Sequence, residues 1–448
     1  MENKQDYTQA VLPNGLRIVA VPDDRLHYFT IGAYVAMGPR FEPLAHTGIS
    51  HFIEHMLFQG SQKYPTSEDI TRAADRITGQ IAASTSPEYA YFALAVHRKY
   101  AGQAIEILAE LLQRPRFELD EIEHEKKIVL EERAQFHDRA QRNLSVDELL
   151  YNLLTRSREQ DVSLVGTAAN IGQFDRDMVR NYWKQFFTAG NTVLVAAGGF
   201  EPDAVAAKIA NEFEPMPAGR PAEPQAAENP RPGPEVVFRR QDSPMLTVAL
   251  AWRAVSFDHP DYAAYAALSE FLGAGTSSRL FTRIREELGL VYDISSGLVT
   301  GSHFGWLQID TTVSRSNYVA TLDEILNVVD EFVERPADEQ ELAVCREKLR
   351  CGLEIAHDDP AETAAWYGKQ TLLLPPDRIL SLQDELRQIE DLSMDQLVRV
   401  ARSTFTPDGC HLVAVGPINW LDRRRTRRLV RSRLGVAPLV TGPGRPPS

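Results

Sequence analysis

The chain has 448 residues, of which 43% are hydrophobic and 25% charged. This is longer than one hydrophobic core serves, and the composition is that of an ordinary soluble globular protein with two or more domains. No apolar run reaches the length of a membrane span, and a net charge of −14 disfavours general nucleic-acid binding, so neither a membrane nor a nucleic acid is the expected partner.

The first residues, Met1 to Tyr7, lack the basic and apolar regions of a secretion signal and the Arg-rich look of a transit peptide. Runs of β type follow at Arg17–Val21 and Thr30–Ala36. The stretch from Thr47 to Phe58, Thr-Gly-Ile-Ser-His-Phe-Ile-Glu-His-Met-Leu-Phe, reads as a helix with Thr47 as its N-cap. Residues four apart share a helix face, so the imidazoles of His51 and His55 can converge on one ion. Glu54 stands close enough to touch a water on that ion. His-x-x-Glu-His inverts the usual zinc-peptidase order and is itself a catalytic pattern. Two imidazoles leave zinc incomplete, because a catalytic site takes three protein ligands and keeps a fourth position open.

A source for the third ligand lies in the helical run from Leu119 to Phe136. Ile122, Val129 and Phe136 recur every seven residues as an apolar stripe. Glu125 and Glu132 share a face at the same interval. One carboxylate there could reach a metal and the other orient a ligating imidazole, although a Glu-rich helix is by default a solvated face. Another β-type run, Thr192–Ala197, closes the first half. Seven prolines then fall between Pro215 and Pro234, which reads as a linker.

The second half shows β-type runs at Thr247–Trp252, Trp306–Thr312 and His411–Val415. Between them, Leu280 to Gly289 reads as a helix, with a strand entering at Val291. Arg285 on this helix is by default a surface charge, and Tyr292 a core aromatic. The halves repeat one another. Phe187-Thr-Ala-Gly-Asn-Thr-Val-Leu-Val-Ala-Ala-Gly is echoed 218 residues later from Phe405, and Asp120-Glu121 meets Asp338-Glu339 at the same offset, which argues for duplication. His51, Glu54, His55 and Glu132 map onto Ser269, Leu272, Gly273 and Arg350, so the second half has the scaffold without the metal ligands. The expected architecture is α+β: two homologous domains, each a mixed sheet flanked by helices. The divisions are 1–214, a linker at 215–234, 235–433, and a disordered tail at 434–448. The basic stretch Arg423–Arg433 is read first as a solvated helix, with an interaction tail or an anionic-surface contact as alternatives. Three cysteines (Cys345, Cys351, Cys410) suit a reducing, cytoplasmic setting better than a disulfide framework.

With these motifs together, the chain resembles the pitrilysin-type (inverzincin) zinc metallopeptidases, in the branch of the mitochondrial processing peptidases and their bacterial relatives. The resemblance runs from Leu12 to the strand near Val415. It implies the processing-peptidase (LuxS-like metallohydrolase) fold and a Zn2+ endopeptidase. His51, His55 and Glu132 would be ligands, Glu54 the base, and Glu125 the carboxylate behind a ligand. Glu131 competes for the third position, but only Glu132 has a Glu seven residues upstream. The resemblance also implies that Arg285 and Tyr292 complete the site from the second half, Arg285 holding a substrate carbonyl and Tyr292 donating to the oxyanion. It implies a four-domain pairing of chains, hence a homodimer, or a heterodimer with a related chain. Family members carry Asn-Ala-x-Thr-Ser before a peptide-pairing strand. Here Thr85, Ser86, Glu88 and Tyr91 fit, but Ala82 replaces the Asn. Peptides are the expected substrate. A dedicated peptidase for one leader-bearing precursor and a structural subunit without activity are the competing readings.

Overall fold

The computed structural model describes residues 7–155, 163–224, 234–406 and 409–434. The linker expected at 215–234 lies partly outside the described residues, and the tail expected at 434–448 almost wholly so. Strands β1 (Thr8–Val11), β2 (Arg17–Pro22), β3 (Tyr28–Val35), β4 (Gln80–Thr85), β5 (Ala90–His97) and β6 (Thr192–Gly198) form one sheet, ordered β1-β2-β6-β3-β5-β4. Strands β7 (Glu235–Arg240), β8 (Met245–Arg253), β9 (Val291–Thr300), β10 (Gly305–Ser314) and β11 (Cys410–Gly416) form a second, ordered β7-β11-β8-β10-β9.

Each sheet has one parallel pair, β2 with β6 and β7 with β11, and is otherwise antiparallel. The second sheet therefore repeats the first without β1. Strands β6 and β11 begin 218 residues apart, the spacing of the repeated Phe-Thr runs. The fold is α+β, two mixed sheets flanked by helices. Strand β5 lies where the resemblance expects a strand after Thr85 and Ser86, although Ala-Tyr-Phe-Ala-Leu-Ala-Val is apolar throughout and lacks a period of two. No helix among the described residues is long and apolar enough to cross a membrane.

Strands β6 and β11 bury every side chain, so each sheet needs cover on both faces. On one face of the first sheet, Phe29, Ile31, Phe92 and Leu194 join a core with the helices Ile49–Leu57, Ala101–Gln113, Arg176–Phe186 and Pro202–Phe213. On the other, Val19, Tyr34, Val193 and Val195 pack against Ala364 and Tyr367 of the helix Pro360–Leu373. The second sheet mirrors this arrangement. Leu246, Val248, Leu250 and Trp252 form the larger core, and Ala249, Ala251, Val413 and Val415 are covered by Leu149, Leu150 and Leu153 of the helix Val146–Thr155.

Each sheet thus takes one covering helix from the opposite half of the sequence. The described residues fall into two compact units, those within 1–135, 162–226 and 353–384, and those within 136–161, 227–352 and 385–448. A cut between 1–214 and 235–433 would part the helix Pro360–Leu373 from the first sheet and the helix Val146–Thr155 from the second.

The helix Pro360–Leu373 lies so close to its sheet that a Cβ on Gly368 would stand 2.3 Å from the Tyr34 ring. Gly368→Ala should therefore cost about 1–3 kcal/mol, read as a lower urea midpoint. Gly352→Ala, where a Cβ meets nothing within 4 Å, should leave the midpoint level or raise it. Equal midpoints for the two variants would remove the close contact from this account.

Candidate metal centre

The helix Ile49–Leu57 begins at Gly48, whose φ of 90° is left-handed. A Cβ there would meet the Val165 carbonyl at 2.3 Å, so only glycine fits. Thr47 is not the cap expected from sequence. Its hydroxyl instead accepts from the Asn170 side chain at 2.7 Å. The N–H groups at the start of the helix go instead to the carboxylate of Glu42, which accepts from Gly48 N at 2.8 Å and Ser50 N at 2.9 Å. Burial pushes the Glu42 pKa up to about 7 against the pull of those hydrogen bonds.

The i, i+4 spacing sets the two imidazoles side by side, ring centroids 4.5 Å apart. The helix Leu119–Gln135 supplies the rest. Its buried face is Ile122, Glu125, Val129 and Arg133. Phe136, expected to extend the stripe, lies past the helix end and is 45% exposed. Ile122 and Val129 anchor the helix in the core, and Glu132 then lies 3.6 Å from Nε2 of His51 and 3.6 Å from Nε2 of His55. Glu131 faces solvent. One atom from each of His51, His55 and Glu132 lies within 4.8 Å of the others, and no other such group of three occurs among the described residues.

These separations fit a shared metal. Two ligands about 2.0–2.1 Å from one tetrahedral zinc stand roughly 3.3 Å apart, whereas 3.6 Å is long for a direct hydrogen bond. The donor set of two imidazoles and a carboxylate suits zinc. Burial, with His55 adding to it, holds the His51 pKa down to about 3, which keeps that imidazole neutral as a ligand must be. His51 Nδ1 is buried and has no hydrogen-bond partner among the described residues. The other imidazole is tied down: His55 Nδ1 lies 2.7 Å from Glu125 Oε1, and Gln59 donates to Glu125 Oε2 at 2.7 Å. Burial pushes the His55 pKa down, but the Glu125 hydrogen bond and the charges of Glu125, Glu132 and Glu54 outweigh it and raise it.

Glu54 points to the same space. Thr85, the last residue of β4, donates to its Oε2 at 2.5 Å. Burial raises the Glu54 pKa, and the Thr85 hydrogen bond and the His55 charge offset this only in part. A carboxylate in that condition is a better proton acceptor than an exposed one. The Thr85 contact was not foreseen, although Thr85 had been placed in the peptide-pairing segment. Gln59 was missed too, because it lies two residues past the helix end, where the i, i+4 argument no longer holds. Glu42 offered no signal of either kind.

Arg285 and Tyr292 belong to the second unit and are neighbours there. The expected helix is a π-helix, Phe281–Glu287, a form often found at functional sites. It ends before Gly289, whose φ is 60°. The Arg285 guanidinium lies over the Phe281 ring at 4.4 Å and the Tyr292 ring at 5.2 Å. Tyr292 is 81% exposed, so it is no core aromatic. In the same unit, Ser269 meets Ser296 at 3.2 Å. At Gly273, the position aligned with His55, a Cβ would lie 2.4 Å from Ser296 N. No imidazole could stand there.

Comparison with known proteins follows the same division. The insulinase (peptidase family M16) model matches residues 17–168, and the peptidase M16 inactive-domain model matches residues 173–349. The uncharacterized zinc protease YmxG of Bacillus subtilis is 26% identical over 400 residues, covering 88% of this chain and 95% of its own. The mitochondrial-processing peptidase subunit beta of Dictyostelium discoideum is 23% identical over 421 residues, covering 91% and 88%. Among solved structures, a protease from Helicobacter pylori shares the fold with a TM-score of 0.80 at 20% identity, over 92% of this chain and 100% of that one. The metal-type ligand set of the first half, its absence from the second, and these matches together make the chain a member of the insulinase-type peptidase family, M16.

Proposed function

We propose that the protein is a zinc-dependent endopeptidase that cuts short or unfolded peptides. The observation that carries this reading is the Glu132 carboxylate 3.6 Å from Nε2 of both His51 and His55, with Glu54 beside them. His51, His55 and Glu132 would hold the ion, and Glu125 would orient the His55 ring. A zinc ion held there would supply Lewis acidity and make a water bound to it more acidic. Glu54, held by Thr85, accepts the proton of the attacking water and passes it to the leaving amine as the peptide bond breaks. Tyr292 donates to the developing oxyanion, and Arg285 holds a substrate carbonyl.

The substrate would lie extended along β4, the outer strand of its sheet, adding one more strand through backbone hydrogen bonds. Such pairing demands little of the substrate's sequence. Ala82, exposed on β4, offers no polar contact where the family has an Asn amide. It favours a narrower second reading, a peptidase dedicated to one precursor and working with a partner chain. In the first reading two copies of the chain pair, and the Arg285/Tyr292 pair of one copy serves the metal group of the other.

Glu54→Gln should retain stoichiometric zinc by mass spectrometry yet lose roughly 10²–10⁴-fold in kcat on a peptide library, whereas His55→Ala should lose the zinc itself. Full activity in Glu54→Gln would remove that residue from the role of base. Because the raised Glu54 pKa must be exceeded before the carboxylate can accept a proton, activity should fall on acidification above the ordinary Glu range, a limb absent from Glu54→Gln. Arg285→Ala and His51→Ala, each inactive alone, should regain activity when their subunits are exchanged; a mixture that stays inactive would place all the machinery in one chain.

A further inference from the structure

The helix Trp420–Leu434 carries seven arginines, against the sign of the whole chain. Its buried side is Asp422, Thr426 and Val430, with Thr426 reaching the Tyr318 hydroxyl at 3.2 Å and Asp422 taken by Arg315 at 2.8 Å. Arg433 is neutralised by Asp323 and Asp330. The others are not. Arg424, Arg425, Arg428 and Arg431 are exposed, and none makes a salt bridge among the described residues. Exposed arginines on other helices do find acids, as Arg72 with Glu68 and Arg399 with Asp261 show.

The surroundings add positive charge. Arg423 and Arg427 lie over the Phe238 ring at 5.7 and 5.8 Å, and the Nε of each is buried without a hydrogen-bond partner among the described residues. Beyond burial, what holds the Arg423 pKa down is a ring of guanidiniums: Arg427, Arg142, Arg239 and Arg240. Of these, Arg142 pairs with Asp138 at 2.6 Å and Arg239 donates to the Asn143 carbonyl at 3.2 Å. At the helix's N-terminal turn, on the same exposed arc, stand Trp420 at 67% and Leu421 at 40% exposure.

Like charges crowded along one exposed helix face are relieved by an anionic surface. An exposed indole and an isobutyl group beside guanidiniums are costly in water but suit an interface whose phosphates lie above an apolar layer. We propose that this face docks the protein on an anionic phospholipid bilayer, Trp420 and Leu421 entering at headgroup depth and Arg424, Arg428 and Arg431 meeting the phosphates. A nucleic acid offers phosphates but no apolar layer to receive Leu421. This contact is peripheral, unlike a membrane span, and it stands independently of the peptidase reading.

The test is co-sedimentation of the full chain with vesicles of phosphatidylcholine alone or mixed with phosphatidylglycerol. Binding is expected only to the anionic vesicles, weakening as salt rises. Arg424→Gln/Arg428→Gln/Arg431→Gln should weaken it on the order of a hundred-fold, Trp420→Ser should weaken it as well, and the corresponding Lys triple variant should retain it. Unchanged circular dichroism of each variant keeps a loss of binding from being a loss of fold. Equal binding to neutral vesicles, no binding to anionic ones, or full binding by the Gln variant would overturn the proposal. So would displacement from anionic vesicles by an oligonucleotide, which would assign the face to nucleic acid.

Discussion

A carboxylate taken out of water is stable only when its oxygens are occupied, and Glu125, at 2% exposure, is the one on which the candidate site turns. One oxygen holds Nδ1 of His55 and the other takes the Gln59 amide. The first helix turns its imidazoles toward the second, and the second cannot rotate without exposing Ile122 and Val129. That mutual constraint fixes the His55 ring, and it carries Glu132, two turns further on, to the face where both Nε2 atoms point. Removing the pin would leave a buried charge or a buried imidazole unmatched, which costs several kcal/mol in comparable pairs. The same contact therefore serves folding and the arrangement of ligands.

Around that pair, the protein uses one strand plan twice. Each sheet has a central strand buried on both sides, and each borrows a helix from the opposite half of the chain to close its second face. Either half alone would leave a row of Val, Ala and Tyr side chains in water, so the two halves depend on one another. The duplication has also diverged where the ligands would be. Gly273 lies against the backbone of β9, and the space an imidazole would need is filled by Ser295 and Ser296. What the second unit offers in its place is an exposed Tyr292 beside Arg285.

Much of this was legible in the chain because local geometry ties sequence spacing to a face. His51 and His55 four apart, and Glu125 and Glu132 seven apart, must share faces on any α-helix. The 218-residue repeat located β6 and β11 without any structure. Errors arose where the outcome depended on contacts or chain ends outside the helix whose spacing was read. Thr47 looked like a cap, but Glu42 occupies the N–H groups it would have used. Phe136 fitted the seven-residue stripe, but the helix ends before it, so its ring is left half outside. Nothing in the order of residues said that Pro360–Leu373 would cover the first sheet.

By itself the sequence determined which side chains could act together within one helix, where the chain repeats, and which half keeps the metal-type ligands. These follow from fixed rises and turns of regular structure. Only the tertiary fold decided that Glu132 comes within 3.6 Å of both imidazoles, that Thr85 reaches Glu54, that Tyr292 is exposed, and that Arg424, Arg425, Arg428 and Arg431 make no salt bridge among the described residues. Those outcomes depend on how apolar faces pack, a property of surfaces brought together from distant parts of the chain that no local spacing encodes.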